Sequence, residues 1–410
     1  MIENIYVSLD TDNATILVGV VHVTEKRDSI TSVFSYDSAY LGAPDSYPLD
    51  PLLPLVAGNQ VIQGGLPGAL RDASPDRWGR NLIRKNLQAG QSGRTGRHIG
   101  ELDYLLGVSD HTRQGALRVS TEPGGPYLDD TSVVPPLIDL GRLRNAARKI
   151  SVGDGAEGVK ELLRAGTASL GGAGPKAAVR DGERLLLAKF SHPTDDYDQV
   201  GAECVALDLA EMAGLTTPWH DLLTLDDDRA LVVDRFDRQE ANRIPYISAM
   251  TLTGLSDGDT MDYLQIADGI KNYGSNTQED LQRLWRRMLF FLGINNLDDH
   301  GRNHGFIRGG AGWALAPVFD VTPDPSGAQR ATLMAGASST EECFGALPAI
   351  ATDWNISSER QREIAAGVVE ALDQWPARVG ARKVTGPAIT QLGRIVAEHA
   401  ETIRRIWLAD

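Results

Sequence analysis

The chain has 410 residues, of which 42% are hydrophobic and 23% charged, and its formal net charge is −15. That length suits roughly two or three domains, each with its own core. The acidic balance argues against autonomous binding to DNA or RNA, because phosphate affinity rests on clustered Lys and Arg. Two cysteines, Cys204 and Cys343, form no CxxC pair, which argues against a disulfide scaffold or a cysteine-rich zinc module. Residues 1–6 lack signal-peptide character, and no apolar run approaches the roughly 18 residues of a membrane span. A cytoplasmic protein without membrane contact is the expectation.

In chain order, Ile5-Tyr6-Val7-Ser8-Leu9 and Thr15-Ile16-Leu17-Val18-Gly19-Val20-Val21 flank the turn-forming Asp10-Thr11-Asp12-Asn13 and predict a hairpin. Ser32-Val33-Phe34-Ser35-Tyr36 predicts a third strand, and a helical patch follows around 76–84. The Pro- and Gly-rich Glu122-Pro123-Gly124-Gly125-Pro126, with Pro135-Pro136 beyond it, marks the end of a β-rich first subdomain, placed at 1–130. Residues 137–165 read as helical. Strands resume at Lys176-Ala177-Ala178-Val179-Arg180 and again from Arg184 to Phe190, around a turn at Asp181-Gly182. Ala202 to Ala213 has helical periodicity and stops at Gly214, a C-cap. Ala230-Leu231-Val232-Val233 is another short strand, closing a second region at 131–239. Beyond 240 the patterns are mostly helical, over 281–292, 357–372 and 389–408, giving a third region at 240–410. Strands followed by helices predict an α+β protein.

The densest polar stretch is Asn295-Asn296-Leu297-Asp298-Asp299-His300-Gly301-Arg302-Asn303-His304-Gly305, directly after the apolar run Met288 to Ile294. Asp298 and Asn303 stand as D-x-x-x-x-N, the spacing between catalytic base and metal-binding amide in a protein-kinase catalytic loop. Asp299 would give D-x-x-x-N, so spacing favours Asp298. Asp320 follows in Pro317-Val318-Phe319-Asp320, where kinases place their main Mg²⁺-binding aspartate. Mg²⁺ takes oxygen ligands, which Asp320 and the Asn303 amide supply, while Asp298 would accept the proton of an attacking hydroxyl. A zinc site built from His300 and His304 is the competing reading. Gly301 and Gly305 weaken the helix that it needs, and a loop-bracing role for His300 is favoured.

Three further segments bear on nucleotide binding. Ser169-Leu170-Gly171-Gly172-Ala173-Gly174-Pro175-Lys176 joins a helix to a strand; its small residues let backbone N–H groups approach a phosphate, and Lys176 adds charge. It is neither a Walker A sequence nor a G-x-G-x-x-G loop, and a plain connecting loop is its alternative. Lys189 ends a strand after four apolar residues and must either snorkel outward as an ordinary strand-end charge or find an anionic partner, for which Glu203 on the next helix is the candidate. Asp234-Arg235-Phe236-Asp237-Arg238 follows a strand, where a connecting segment would offer its backbone to an adenine edge near Phe236. A solvated turn with weak local ion pairs is the alternative.

Taken in order these motifs resemble the HipA family of serine/threonine kinase toxins from bacterial type II toxin–antitoxin modules. The likeness begins with Leu66-Pro67-Gly68 and Ser74-Pro75-Asp76-Arg77-Trp78-Gly79-Arg80. It continues through 169–176, Leu187-Ala188-Lys189-Phe190 and Val233 to Arg238. It ends with 297–305 and Leu315-Ala316-Pro317-Val318-Phe319-Asp320. One departure is Gly174-Pro175, where several relatives carry a polar pair.

The resemblance implies a bilobal protein-kinase-like α+β fold, with a β-rich N-terminal subdomain and a helical C-terminal lobe. It implies ATP and Mg²⁺, with Lys189 on the phosphates, Asp298 as catalytic aspartate, and Asn303 and Asp320 on the metal. Ser169 matches a serine whose autophosphorylation ejects the phosphate loop. The implied substrate is a serine or threonine on a host protein, aminoacyl-tRNA synthetases being known targets, and the implied effect is growth arrest. A small HipB-like helix-turn-helix antitoxin would neutralise the kinase and carry the DNA contact, which suits the acidic charge of this chain. The alternatives are a small-molecule kinase of the same fold, or a catalytically weak corepressor subunit.

Overall fold

A computed structural model describes all residues except 1, 12–13, 27–28, 63–64, 91–98, 129–132, 154–155, 168–173, 227, 241 and 410. The chain divides into two compact units. The first comprises Met1–Pro193 with Asp234–Ile247, and the second Thr194–Val233 with Ser248–Asp410.

The first unit is built on an antiparallel sheet. Its strands lie in the order Gln60–Ile62, Ser29–Tyr36, Thr15–Lys26, Ile2–Asp10 and Leu117–Ser120. Alternation of side chains explains the register: Ile5, Val7 and Leu9 on one strand and Val21 and Val23 on the next are all buried, as the two-residue period of a half-covered sheet demands. The expected first hairpin and third strand therefore form. The helical region 137–165 breaks into Leu140–Ser151 and Ala156–Arg164, because Gly153 takes a left-handed φ of 89°. A hairpin of Lys176–Asp181 and Arg184–Phe190 follows, with Lys176 directly opposite Lys189.

In the second unit the helix Gln199–Met212 is capped by Asp198, whose side chain accepts from the Gly201 N–H. It ends as expected at Gly214, whose φ is 75°. The Leu215 N–H donates to the Ala210 carbonyl and Gly214 to Glu211, the paired bonds of a Schellman motif. The strands His220–Leu225 and Asp228–Asp234 pair antiparallel. Helices Thr277–Gly293, Thr340–Asp353, Ser358–Asp373 and Pro387–Ile403 supply most of the core. Fully buried Trp285 and Met288 sit at its centre, with Trp285 meeting the edge of Trp407 at 5.7 Å. Sequence periodicity misses a second β element here, a hairpin of Gly305–Gly309 and Gly312–Leu315. Among the described residues no helix is long and apolar enough to cross a membrane.

Candidate active site

The polar stretch after residue 294 begins as a helix terminus. Phe290, Phe291 and Leu292 are buried, and the Thr277–Gly293 helix stops because Asn295 adopts a left-handed φ of 55°. Asparagine tolerates that region better than most residues. Asn296 N–H then donates to the Phe291 carbonyl and Asn295 N–H to Leu292, again a Schellman ending. The same two asparagines hold the segment beyond Asp320. The Asn295 amide donates to the Asp324 carbonyl, Asp324 N–H returns a bond to Asn295, and Thr322 N–H donates to Asn296 Oδ1. Asp320 itself has a left-handed φ of 56°. The expected metal-binding carboxylate thus lies on a segment tied to the loop that carries Asp298.

The adjacent acids have opposite environments. Asp299 and Arg330 are both 0% exposed at the side chain and pair at 2.7 Å. Asp299 also accepts from the Tyr263 hydroxyl at 2.9 Å and the Thr332 N–H at 3.2 Å. Its backbone carbonyl takes the Thr332 hydroxyl and His304 Nε2. Burial alone would lower the Arg330 pKa, but the Asp299 charge prevails and raises it. Burial, reinforced by Asp299, pushes the Tyr263 phenol well up. Removing one partner from such a pair costs about 3–5 kcal/mol.

Asp298 is 77% exposed at the side chain, and its Oδ1 lies 4.0 Å from His300 Nε2. Its backbone carbonyl accepts from Asn303 Nδ2 at 2.8 Å. A carbonyl only accepts, so this bond fixes the amide orientation and turns Asn303 Oδ1 away. Gly301 allows the loop its path: a Cβ there would lie 2.3 Å from Met261 Cε and 2.9 Å from Met250 Cγ. Arg302 bonds both Asp257 oxygens.

His304 is fully buried, and burial followed by the Arg287 charge lowers its pKa to about 3. It is therefore neutral, with its Nε2 proton on the Asp299 carbonyl. The stretch forms a short 3₁₀ turn at Gly301–Asn303 and a strand from Gly305, not a helix. The zinc reading, which needed His300 and His304 on one helix face, is corrected accordingly.

The remaining expected residues are placed as follows. Glu203 is buried in the Gln199–Met212 helix. Ser169, Gly171, Gly172 and Ala173 lie outside the described residues, and Gly174 lies at the start of the next segment. Lys176, in the first unit, is buried and pairs with Asp76 at 3.0 Å. Like charges directly opposite on a sheet repel, and Asp76 offsets one of the two that Lys176 and half-buried Lys189 bring together. Asp76 also accepts from the Gly79 N–H and caps the helix Arg77–Gly90. Two motifs read separately in the sequence are thus one structural feature.

Asp234 accepts from Arg184 at 2.7 Å, and Phe236 packs 6.0 Å from the Tyr246 ring. The alternative of a solvated turn is not what forms here, because the segment holds a buried charge cluster. Asp237 takes bonds from Arg235, Arg238 and the Gly115 N–H. Burial opposes its charge, yet the two arginines hold its pKa well below the carboxylate range. Arg238, pushed down to about 10 by burial, donates to the carbonyls of Arg113 and Gly115. Tyr263, Arg330, Thr332 and the anchoring roles of Asn295 and Asn296 escaped sequence reasoning. Polarity beside the Asp298 motif hinted at Asn295 and Asn296, while no local signal marked the other three.

The HipA-like C-terminal domain family matches residues 168–375. The chain belongs to that family. The HipA of a Shewanella oneidensis toxin–antitoxin system, solved with HipB and operator DNA, superposes with a TM-score of 0.65 at 15% identity. That match covers 98% of this chain and 97% of the HipA chain, and the kinase-like α+β fold is accordingly shared. The proinflammatory kinase CtkA of Helicobacter pylori is similar over 58% of this chain and 91% of its own, at 16% identity and a TM-score of 0.41. A comparison with curated protein sequences finds no match.

Proposed function

We propose that the chain is an ATP-dependent protein serine/threonine kinase acting as a growth-arresting toxin. One observation carries this reading: of two adjacent acids, Asp299 is buried and fully bonded while Asp298 is exposed beside the oriented Asn303 amide. A loop that anchors one acid to hold its neighbour in solvent suits a group that must meet a substrate hydroxyl. In this reading Asp298 accepts or orients the hydroxyl proton, and His300 braces the loop. Asn303 and Asp320 would hold Mg²⁺, their amide and carboxylate oxygens fitting its preference. When bound, that ion neutralises charge on the transferred phosphate.

Lys189 would compensate the phosphates, with Glu203 as its partner. Gly171, Gly172, Ala173 and Gly174 would approach the phosphates through their N–H groups. Lys176 would anchor the base of that loop through Asp76, and Ser169 would be an autophosphorylation site. Asp234 and Phe236 would bound the nucleotide site through their backbone. Catalysis of this kind is mostly positioning and charge stabilisation.

The partner proposed is a HipB-like helix-turn-helix antitoxin. The related Shewanella protein was solved with HipB on operator DNA, and a net charge of −15 suits a subunit that reaches DNA only through a basic partner. The cytoplasm is the proposed location. The test is incubation of purified protein with γ-labelled ATP and Mg²⁺ in a bacterial lysate, with mass spectrometry of labelled proteins. Phosphoserine or phosphothreonine on a host protein, such as an aminoacyl-tRNA synthetase, is expected. Label only on small metabolites, or no label at all, would refute the reading.

A further inference from the structure

Cys204 and Asp208 stand at i and i+4 on the helix Gln199–Met212, so both project from one face. His220 opens the neighbouring strand His220–Leu225. One ligand atom from each of the three lies within 4.8 Å of the other two. The Cys204 thiol is fully buried and unoxidised.

His220 Nδ1 lies 3.0 Å from the Pro218 carbonyl. A carbonyl only accepts, so Nδ1 carries the proton and Nε2 faces Asp208 Oδ1 at 3.1 Å. Histidine ligands of metals are held in this way, one ring nitrogen donating to a backbone carbonyl and the other facing the ion. Asp208 is braced as well. Arg382 donates Nε to Oδ2 at 2.9 Å and Nη2 to Oδ1 at 2.8 Å, while its Nη1 reaches Asp221 at 2.7 Å.

We propose that Cys204, Asp208 and His220 form a binding site for a borderline-soft divalent cation such as Zn²⁺, braced by Arg382 and Asp221. The site uses none of the residues assigned to phosphoryl transfer and does not rest on that assignment. Thiolate, imidazole and carboxylate together are a zinc-type donor set. With the thiol ionised, Cys204, Asp208 and Asp221 carry three negative charges that balance the cation and the Arg382 guanidinium.

Without metal the cluster is closed by protons. Burial pushes the Cys204 thiol up to about 12. Burial opposes protonation of His220, but its bond to Asp208 prevails and raises its pKa. A cation would displace the thiol proton, and also the Nε2 proton when the imidazole is charged.

The probe is Co²⁺, titrated into the reduced, chelator-treated full chain. Stoichiometric binding with a near-ultraviolet thiolate-to-cobalt charge-transfer band is expected, displaced by equimolar Zn²⁺. The band should survive Cys343→Ser and vanish in Cys204→Ser, and His220→Gln should weaken binding by roughly tenfold or more. Absence of the band in the unmutated chain overturns the proposal without relying on any variant. So does a band that persists in Cys204→Ser or disappears in Cys343→Ser.

Discussion

Asp237 and Asp298 sit in equally polar stretches and meet opposite fates. Asp237 is buried with two arginines and a backbone N–H on its oxygens, so its charge is spent on tying 235–238 to residues near 115 within the first unit. Asp298 stands in solvent at the edge of the second unit's polar loop, and its neighbour Asp299 repeats the buried arrangement with Arg330. The difference lies in where the lone pairs go, which polarity along the chain does not reveal. An acid saturated by the protein stabilises the fold. An acid held out by a saturated neighbour is available for chemistry.

Asp237→Ala should show the largest effect on stability, because it strands the largely buried Arg235 and Arg238. A loss of about 3–5 kcal/mol is expected, read from the urea unfolding midpoint. A loss under about 1 kcal/mol would mean that the cluster is screened like a surface pair and would erase the contrast with Asp298.

A smaller effect sharpens the same contrast through pH. His304, bonded to the Asp299 carbonyl, has its pKa lowered from 6.5 to about 3 by burial. Below 6.5 the unfolded chain takes up a proton that the folded chain refuses. This contribution to stability is complete above 6.5 and is lost progressively as pH falls toward 3, by at most about 1.4 kcal/mol per pH unit. His304→Gln should flatten the fall in melting temperature over that window. An unchanged pH profile would place the imidazole in a wetter setting.

Much of the local structure was legible in the sequence. Strict alternation in Ile5-Tyr6-Val7-Ser8-Leu9 predicts the first strand, and a single glycine after an apolar helix predicts the ending at Gly214. The strand His220–Leu225 was not legible, since its residues are mostly half-buried and give no two-fold contrast. The Gly305–Gly309 and Gly312–Leu315 hairpin is too short and too glycine-bounded for periodicity to register. In the candidate site, the spacing of Asp298 and Asn303 was readable because both lie in one loop. The saturation of Asp299 was not, because Tyr263 and Arg330 arrive from 36 and 31 residues away. Lys176 and Asp76 are 100 residues apart, and no local pattern joins them.

The most direct test compares Asp298→Asn with Asp299→Asn, measuring melting temperature and phosphate transfer from ATP on the same preparations. Asp298→Asn is expected to melt within about 0.5 kcal/mol of the parent, as exposed substitutions do, and to lose transfer. Asp299→Asn, which leaves Arg330 with a neutral partner, is expected to lower the melting temperature markedly. Full transfer activity in a folded Asp298→Asn chain would contradict the assignment of the two acids.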